Sequence, residues 1–128
     1  MDMALHLQYF VSISLCTFIW IIQVLHYPFF QYIDLKQFSQ SMVFHQRAIS
    51  YLVIPLMLLE LIVTIYIANY YVLTVVLGIW LSTFLIQVPL HKKLLQKKDL
   101  LIIAKLTKSN WIRTILWTLK LVIVSFGL

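Results

Sequence analysis

The chain has 128 residues, of which 62% are apolar and 11% are charged, and its mean hydropathy is +0.95. Soluble domains are about 45–50% apolar and about 25% charged, so this composition excludes a soluble globular protein and predicts a small integral membrane protein. The length predicts one transmembrane domain over residues 1–128. The net charge of +6 is expected to set membrane topology and to attract anionic headgroups, and nucleic acid is not an expected partner.

The first predicted span lies between residues 3 and 33, a stretch without Asp, Glu, Lys or Arg. A bilayer core of ~30 Å needs ~20 helical residues, and a helix is expected over about 5–26. Proline disfavours helical geometry in the residue before it and cannot donate its own amide. Pro28 therefore predicts that the helix ends at His26, and that the aromatic residues after it lie at the membrane interface.

Three further spans are expected. Between residues 48 and 91 the only charged residue is Glu60, which leaves room for helices at about 46–67 and 71–91 joined by a tight turn at 68–71. The polar segment 34–48 suits an amphipathic turn or helix at the surface. An apolar run predicts a fourth helix at about 110–127. The expected fold is thus all-α, an up-down bundle of four transmembrane helices.

The distribution of basic residues predicts the orientation of this bundle. Lys36 and Arg47 lie in the first long connection, and seven more basic residues lie between residues 92 and 113. The positive-inside rule then places both connections in the cytoplasm and both termini outside. The segment 92–108, from Lys92 to Lys108, is predicted to bind anionic headgroups, with docking of a partner as the alternative.

A short internal repeat is visible in the sequence. IIQVLH at 21–26 resembles LIQVPLH at 85–91 with one insertion, and Arg47 and Arg113 take similar places at the starts of two predicted helices. The pattern predicts two helix pairs related by an axis along the membrane normal. A chance match of two short segments is the alternative.

A layer of polar residues is expected near the cytoplasmic ends of the helices. Its members are His26, His45, His91, Gln23, Gln87, Asn110 and Arg113. Helical spacing places some of them on common faces, His91 with Gln87 and Trp80 on one helix and Arg113 with Trp117 on another. Polar groups inside a membrane usually face the bundle interior or a water-filled cavity, and the same is expected here.

Three chemical interpretations of this layer are open at the level of sequence. Histidines and glutamines at helix ends often satisfy free carbonyls or contact headgroups. Alternatively, the three imidazoles hold a metal ion, or an opposed pair ligates haem iron. As a third interpretation, Arg113 and Arg47 bind the carboxylate or phosphate of a substrate.

Glu60 and Lys120 are the two charged residues placed well inside predicted spans. A buried carboxylate must be paired, protonated or hydrated. An ion pair between Glu60 and Lys120 is predicted, and the alternative is a neutral Glu60 that hydrogen-bonds to a backbone carbonyl. If a catalytic proton-handling group exists, Glu60 is the candidate.

These features support three hypotheses for function. The first is an oxidoreductase or cofactor-binding protein that acts on a lipophilic small molecule at the His/Arg/Gln layer. The second is a non-enzymatic accessory subunit or lipid-binding protein. The third is a transporter of a small solute built around Glu60 and Lys120, which requires a homodimer because four helices are few for a monomeric transporter. The single cysteine, Cys16, excludes disulfide chemistry within the chain and is predicted to serve packing.

Several strings in the chain resemble a family of small uncharacterised bacterial membrane proteins with four helices. They are LHYPFF at 25–30, HQR at 45–47, PLMLLE at 55–60, STFLIQVPLH at 82–91 and NWIRT at 110–114. The resemblance spans nearly the whole chain. It implies the four-helix fold, the choice of polar residues and a bacterial inner membrane as the location, and it implies no particular reaction.

Two other resemblances concern layout. VPLH at 88–91 is similar to the end of the third span in anthrone-oxygenase-like membrane proteins. ALH at 4–6, together with Arg47 and PLM at 55–57, is similar to the bacterial membrane protoporphyrinogen oxidase family. The second likeness implies that His6 is a haem ligand and that the chain is a haem-linked oxidase. The chain has NWIR at 110–113 where that family carries an Asn-Glu-x-x-Pro segment.

Overall fold

A computed structural model of the chain describes residues 2–127, which form helices and short connections without a β-strand. Met1 and Leu128, the limits of the predicted domain, lie outside the described residues. Five helices make up the described region: α1 (Met3–Tyr32), α2 (Phe38–Ile67), α3 (Tyr70–Gln96), α4 (Leu100–Ser109) and α5 (Trp111–Ser125). The all-α prediction is confirmed.

Three of these helices, α1, α2 and α3, are long and apolar enough to cross a membrane. Each exceeds the ~20 residues that the hydrocarbon core needs. The shorter helices α4 and α5 meet at Asn110, whose backbone is itself helical (φ −64°, ψ −19°). Together they form a fourth helical element.

Helix α1 does not end at His26, and this prediction is wrong. After an α-helical part, Met3–Ile21, the chain forms a π-helical turn at Ile22–His26 and then continues to Tyr32. The amide of Tyr27 donates across this wider turn to the carbonyl of Ile22. A proline ring normally clashes with the carbonyl one turn before it. The π turn shifts the preceding carbonyls, so the helix accommodates Pro28 instead of ending there.

Helix α3 also contains a π turn before a proline. A π turn at Thr83–Gln87 precedes Pro89, and the helix continues to Gln96 instead of ending near residue 91. In both helices the π turn begins six residues before the proline. The matching residues of the internal repeat do not take equivalent positions in the two π turns. Gln23 is the second residue of its π turn, whereas Gln87 is the last residue of the other. The relation between whole helix pairs stays a prediction.

Helix α2 begins at Phe38, which brings much of the polar segment 34–48 into the helix, and it continues through Pro55. It ends at Ala68, which has a left-handed backbone (φ 60°, ψ 35°). The side chain of Asn69 then accepts hydrogen bonds from the amides of Tyr71 and Val72 and caps α3. The tight turn predicted at 68–71 is present.

The basic segment 92–108 is not a loop, since it contains the end of α3 and most of α4. Asp99 caps α4 by accepting from two backbone amides. Lys98 Nζ donates to the carbonyls of Gln31 and Ile33, each at 2.8 Å. The α3–α4 connection is therefore fixed to the end of α1.

The helices pack as a closed arrangement around a central space. Helix α1 packs against α2 and α5, and α5 packs against α3. Helices α2 and α3 meet near the tight turn and again at Val88–Gln96. Between these two contacts their middle parts line a cavity.

The left-handed residue Ala68 gives a test of this turn. An L side chain in this conformation costs about 1–2 kcal/mol, and glycine adopts it freely. Ala68→Gly should raise the thermal stability of the protein in detergent, by roughly 0.5–1 kcal/mol after the entropy that glycine adds to the unfolded chain. Ala48→Gly, the same change inside α2, should lower it by about 0.5–1 kcal/mol. Equal effects at both positions would contradict the described turn.

Candidate functional site

A cavity of about 570 Å³ lies between α1, α2, α3 and α5. Sites for small molecules and cofactors commonly measure ~300–1,000 Å³. One part of the wall is apolar, with Leu15, Ile19, Val53 and Met57 among its residues. The other part is polar and consists of His26, Tyr27, His45, Gln46, Thr83, Gln87, His91, Lys92 and Arg113. The cavity is therefore amphipathic.

The cavity opens between α2 and α3. Five residues line it and are also exposed at the surface: Ser50, Ile54 and Leu58 of α2, and Phe84 and Lys92 of α3. All of them except Lys92 lie in the middle of their helices. The opening is thus on the long side of the bundle and is framed mainly by apolar side chains. We call this opening the α2–α3 seam.

The amide of Gln23 organises the polar end. Its Oε1 accepts hydrogen bonds from Asn110 Nδ2 and Thr114 Oγ1, both at 2.9 Å, and its Nε2 donates to the carbonyl of Thr107 at 2.9 Å. Gln23 lies in the π turn of α1, and its partners lie on both sides of the junction between α4 and α5. The π turn of α1 thereby fixes that junction.

Arg113 projects from the start of α5 to the cavity, and only 7% of it is exposed. Its Nε donates to Asn110 Oδ1 at 2.9 Å, Nη2 donates to the hydroxyl of Tyr27 at 2.9 Å, and Nη1 donates to Thr83 Oγ1 at 3.4 Å. All three acceptors are neutral oxygens. The guanidinium is therefore held by hydrogen bonds without a carboxylate.

The Tyr27 hydroxyl also contacts His91, whose Nε2 lies 2.8 Å from the hydroxyl oxygen. The hydroxyl accepts from Arg113, so its own proton is available to donate to Nε2 of His91. That imidazole nitrogen is then the acceptor, and Nδ1 carries the hydrogen. His91 Nδ1 is buried and has no hydrogen-bond partner.

A second buried donor, Trp80 Nε1, also lacks a partner. Trp80 and His91 both line the cavity. An indole nitrogen can only donate a hydrogen bond, and His91 Nδ1 is a donor in the tautomer in which Nε2 accepts from Tyr27. Buried polar groups are normally satisfied, and an unsatisfied one costs about 1–3 kcal/mol. The cavity therefore contains two unused hydrogen-bond donors.

The three cavity histidines do not form the metal site that the sequence suggested. His26 and His45 contact edge to face, with ring centroids 5.0 Å apart, and His91 is engaged by Tyr27. Among residues 2–127, no group of three or more His, Cys, Asp or Glu side chains is placed to hold a metal ion. All three histidines nevertheless line the same cavity.

His6, the haem ligand implied by one resemblance, is exposed in the first turn of α1. The other three histidines all line the cavity near the opposite end of that helix. A haem bound through His6 would have no second histidine and no described cavity around it. The residues at this position do not fit that group.

The predicted ion pair is present in the structure. Lys120 Nζ lies 2.8 Å from Glu60 Oε2, and both side chains are 0% exposed. Lys120 also donates to Gln8 Oε1 at 3.0 Å, and Trp117 Nε1 donates to both carboxylate oxygens at 3.1–3.2 Å. The pair lies outside the cavity lining, and Trp117 is the residue that connects the two.

The candidate residues thus separate into three groups. His26, His45, Gln87, His91 and Arg113 line the cavity. Gln23 and Asn110 are buried beside it and hold Arg113 in place. The third group is the Glu60–Lys120 pair. Arg47, proposed with Arg113 as an anion ligand, is exposed and does not line the cavity.

Sequence reasoning missed Tyr27 as a site residue. Once α1 was predicted to end at His26, Tyr27 could only be interpreted as an interfacial aromatic. In a continuous helix, Gln23, Tyr27 and Phe30 have the i, i+4, i+7 spacing of one buried face, and all three are buried. That spacing was the available signal.

Comparisons of the chain with protein-family models, with curated proteins and with solved structures give no match.

The Glu60–Lys120 pair yields a stability prediction. Removing one partner leaves an uncompensated buried charge, which typically costs about 3–5 kcal/mol. Glu60→Gln and Lys120→Met should each lower the unfolding free energy in detergent by about this amount. The double variant should lose less than the sum of the two. Strictly additive losses in this double-mutant cycle would contradict the pair.

Proposed function

We propose that this chain is an integral membrane protein that binds a lipophilic small molecule in the cavity between α1, α2, α3 and α5. The observation that carries the proposal is the pair of unused donors, His91 Nδ1 and Trp80 Nε1, in a cavity that is otherwise largely apolar. A ligand with an apolar body and one hydrogen-bond-accepting end would satisfy both parts of the wall.

The position of the α2–α3 seam supports the same proposal. A water-soluble ligand would be expected to use an opening at a helix end. The seam is instead in the middle of two helices that are apolar enough to cross a membrane. In a bilayer, such a seam faces lipid chains, so a lipophilic ligand could reach the cavity without passing through water.

We extend the proposal to a fourth crossing formed by α4 and α5. Lys98 fixes the start of α4 to the end of α1, and Tyr9 OH donates to the carbonyl of Val124 at 2.9 Å beside the start of α1. The α4–α5 element therefore follows α1 from one end of the bundle to the other. Lys36 lies in the α1–α2 connection and Lys97 and Lys98 lie in the α3–α4 connection, and Arg47, Lys92 and Lys93 lie in the helices that adjoin them. The positive-inside rule places this end of the bundle in the cytoplasm and both termini outside.

Catalysis and transport remain hypotheses beside this proposal. An oxidoreductase would act on the molecule bound in the cavity, and its reaction is not specified by the binding proposal. The transport hypothesis relied on Glu60 and Lys120, but both are fully buried and bonded to each other, Glu60 also to Trp117 and Lys120 also to Gln8. Their role in the proposed function is to hold α2 against α5.

Filling the cavity tests the ligand proposal. Val53→Trp places a large side chain on the cavity wall, whereas Leu52→Trp makes a matched change at an exposed neighbour that does not line the cavity. Lipophilic compounds extracted from the purified proteins are quantified by mass spectrometry. Wild type and Leu52→Trp should retain about one equivalent of a ligand, and Val53→Trp should lose most of it, because a cavity ligand needs the volume that the indole fills.

An equal ligand content in Val53→Trp and Leu52→Trp would contradict binding in the cavity. The absorption spectrum and metal content of the same wild-type sample test the redox hypothesis separately. A Soret band or stoichiometric iron or copper, lost in Val53→Trp, would identify the bound molecule as a cofactor.

Cysteine labelling tests the fourth crossing and the orientation. In a Cys16→Ala background, single cysteines replace Tyr70, Gln96 and Phe126, all of which are exposed. An impermeant thiol reagent added to intact cells should label Tyr70→Cys and Phe126→Cys, and it should label Gln96→Cys only after the membrane is opened. Labelling of Gln96→Cys and Phe126→Cys from the same side would show that α4 and α5 do not cross.

A further inference from the structure

Two buried cations on α5 differ in one respect. Lys120 is paired with Glu60 at 2.8 Å, whereas Arg113 has no carboxylate partner. Among residues 2–127, the Glu60–Lys120 pair is the one ion pair within 4.0 Å. A buried charge is costly unless it is paired, and proteins rarely leave one uncompensated. The cation without a carboxylate is the one that lines the cavity.

Arg113 also has unused donors. A guanidinium carries five N–H groups, and Arg113 uses three of them on Asn110, Tyr27 and Thr83. One N–H on each of its two terminal nitrogens therefore remains. A guanidinium binds a carboxylate or a phosphate through two N–H groups, and Arg113 has two that are not used.

The remaining polar wall has the same electrostatic character. Lys92 lines the cavity as a second cation, and no Asp or Glu lines it. The unsatisfied atoms, His91 Nδ1 and Trp80 Nε1, are donors. The polar wall therefore lacks negatively charged hydrogen-bond acceptors, and a ligand could provide one.

We infer that the cavity binds an amphiphile with one anionic oxygen headgroup, a carboxylate or a phosphate, which pairs with Arg113. The inference rests on the proposed function and names the ligand class of that same site. The headgroup accepts from Arg113, with Lys92 adding positive charge, and His91 and Trp80 offer further donors along the cavity wall. The tail extends along the apolar wall past Ile19 and Met57. The volume of about 570 Å³ suits one small-molecule ligand.

Equilibrium binding of radiolabelled oleate to the full chain in a non-ionic detergent tests this inference. Unlabelled oleate, oleyl alcohol and oleoyl lysophosphatidate are the competitors, so that tail and headgroup are varied separately. Oleate should bind at least about 10-fold more tightly than oleyl alcohol, because a hydrogen-bonded charge pair contributes more than a neutral hydrogen bond. Lysophosphatidate that outcompetes oleate would also support the inference and would identify phosphate as the preferred anion.

Variants assign the effect to the cavity cations. Arg113→Gln should weaken oleate binding by about 10- to 100-fold and change oleyl alcohol binding by less than about 3-fold. Lys92→Gln should weaken oleate binding by about 2- to 5-fold through the lost charge. Lys93→Gln, an exposed neighbour outside the cavity lining, should leave it unchanged. Should Arg113→Gln fail to fold, the Lys92/Lys93 comparison and the wild-type competitors still decide the question.

Two results would overturn the inference, and they differ in what they say of the proposed function. If oleyl alcohol competes as well as oleate against the wild-type protein, the headgroup is not selected by charge, and binding of a lipophilic ligand stands. If neither probe binds and Val53→Trp retains the same extracted compounds as Leu52→Trp, the cavity is not a ligand site and both proposals fail.

Discussion

The hydrogen bonds of Gln23 are the constraint on which the polar end of this protein depends. Its amide binds Thr107, Asn110 and Thr114, and so holds the α4–α5 junction against the π turn of α1. Asn110 in turn accepts from Arg113. In a low-dielectric interior each unmet group in this chain of contacts would be costly, so the side chains fix one another's positions. The place of the Arg113 guanidinium therefore follows from a glutamine on another helix.

In the proposed function, helix α5 contributes to stability at one level and to ligand binding at another. At one level, Lys120 and Glu60 satisfy each other, and Trp117 completes the carboxylate's contacts. At the other level, Arg113 is held by neutral oxygens and retains free N–H groups toward the cavity. A site that is to bind a charged group must leave its own charge incompletely satisfied, and the surrounding structure must compensate for that cost. The Glu60–Lys120 ion pair, which links α2 to α5, can supply part of this compensating stability.

The helices and the ion pair were predictable from the sequence, and the shape of the site was not. Long apolar stretches indicated α1, α2 and α3. Glu60 and Lys120 were the only charges deep in their spans, so desolvation predicted either their pairing or a neutral Glu60, and the structure contains the pair. Three of the histidines line one cavity. Whether their nitrogens converge depends on helix rotation, and the π turns change that rotation in α1 and α3. A proline in a sequence is compatible with either the end of a helix or a π turn before the proline. Because the sequence did not distinguish the two, Tyr27 was missed as a site residue.

The seam and the polar wall together suggest how an amphiphile would reach Arg113. An amphiphile in the cytoplasmic leaflet has its headgroup at the level of the basic connections and its tail parallel to the helices. Lys92, Gln46 and Ser50 line the cavity in that order away from the α3–α4 connection, and Ser50 is exposed at the seam. Sideways movement through the seam would let the tail pass between apolar residues while the headgroup moves from Lys92 to Arg113. The headgroup would then never cross the apolar wall, where its desolvation would be costly. The free-energy barrier to ligand entry would be set by the separation of α2 and α3 in their middle parts, where they do not pack closely.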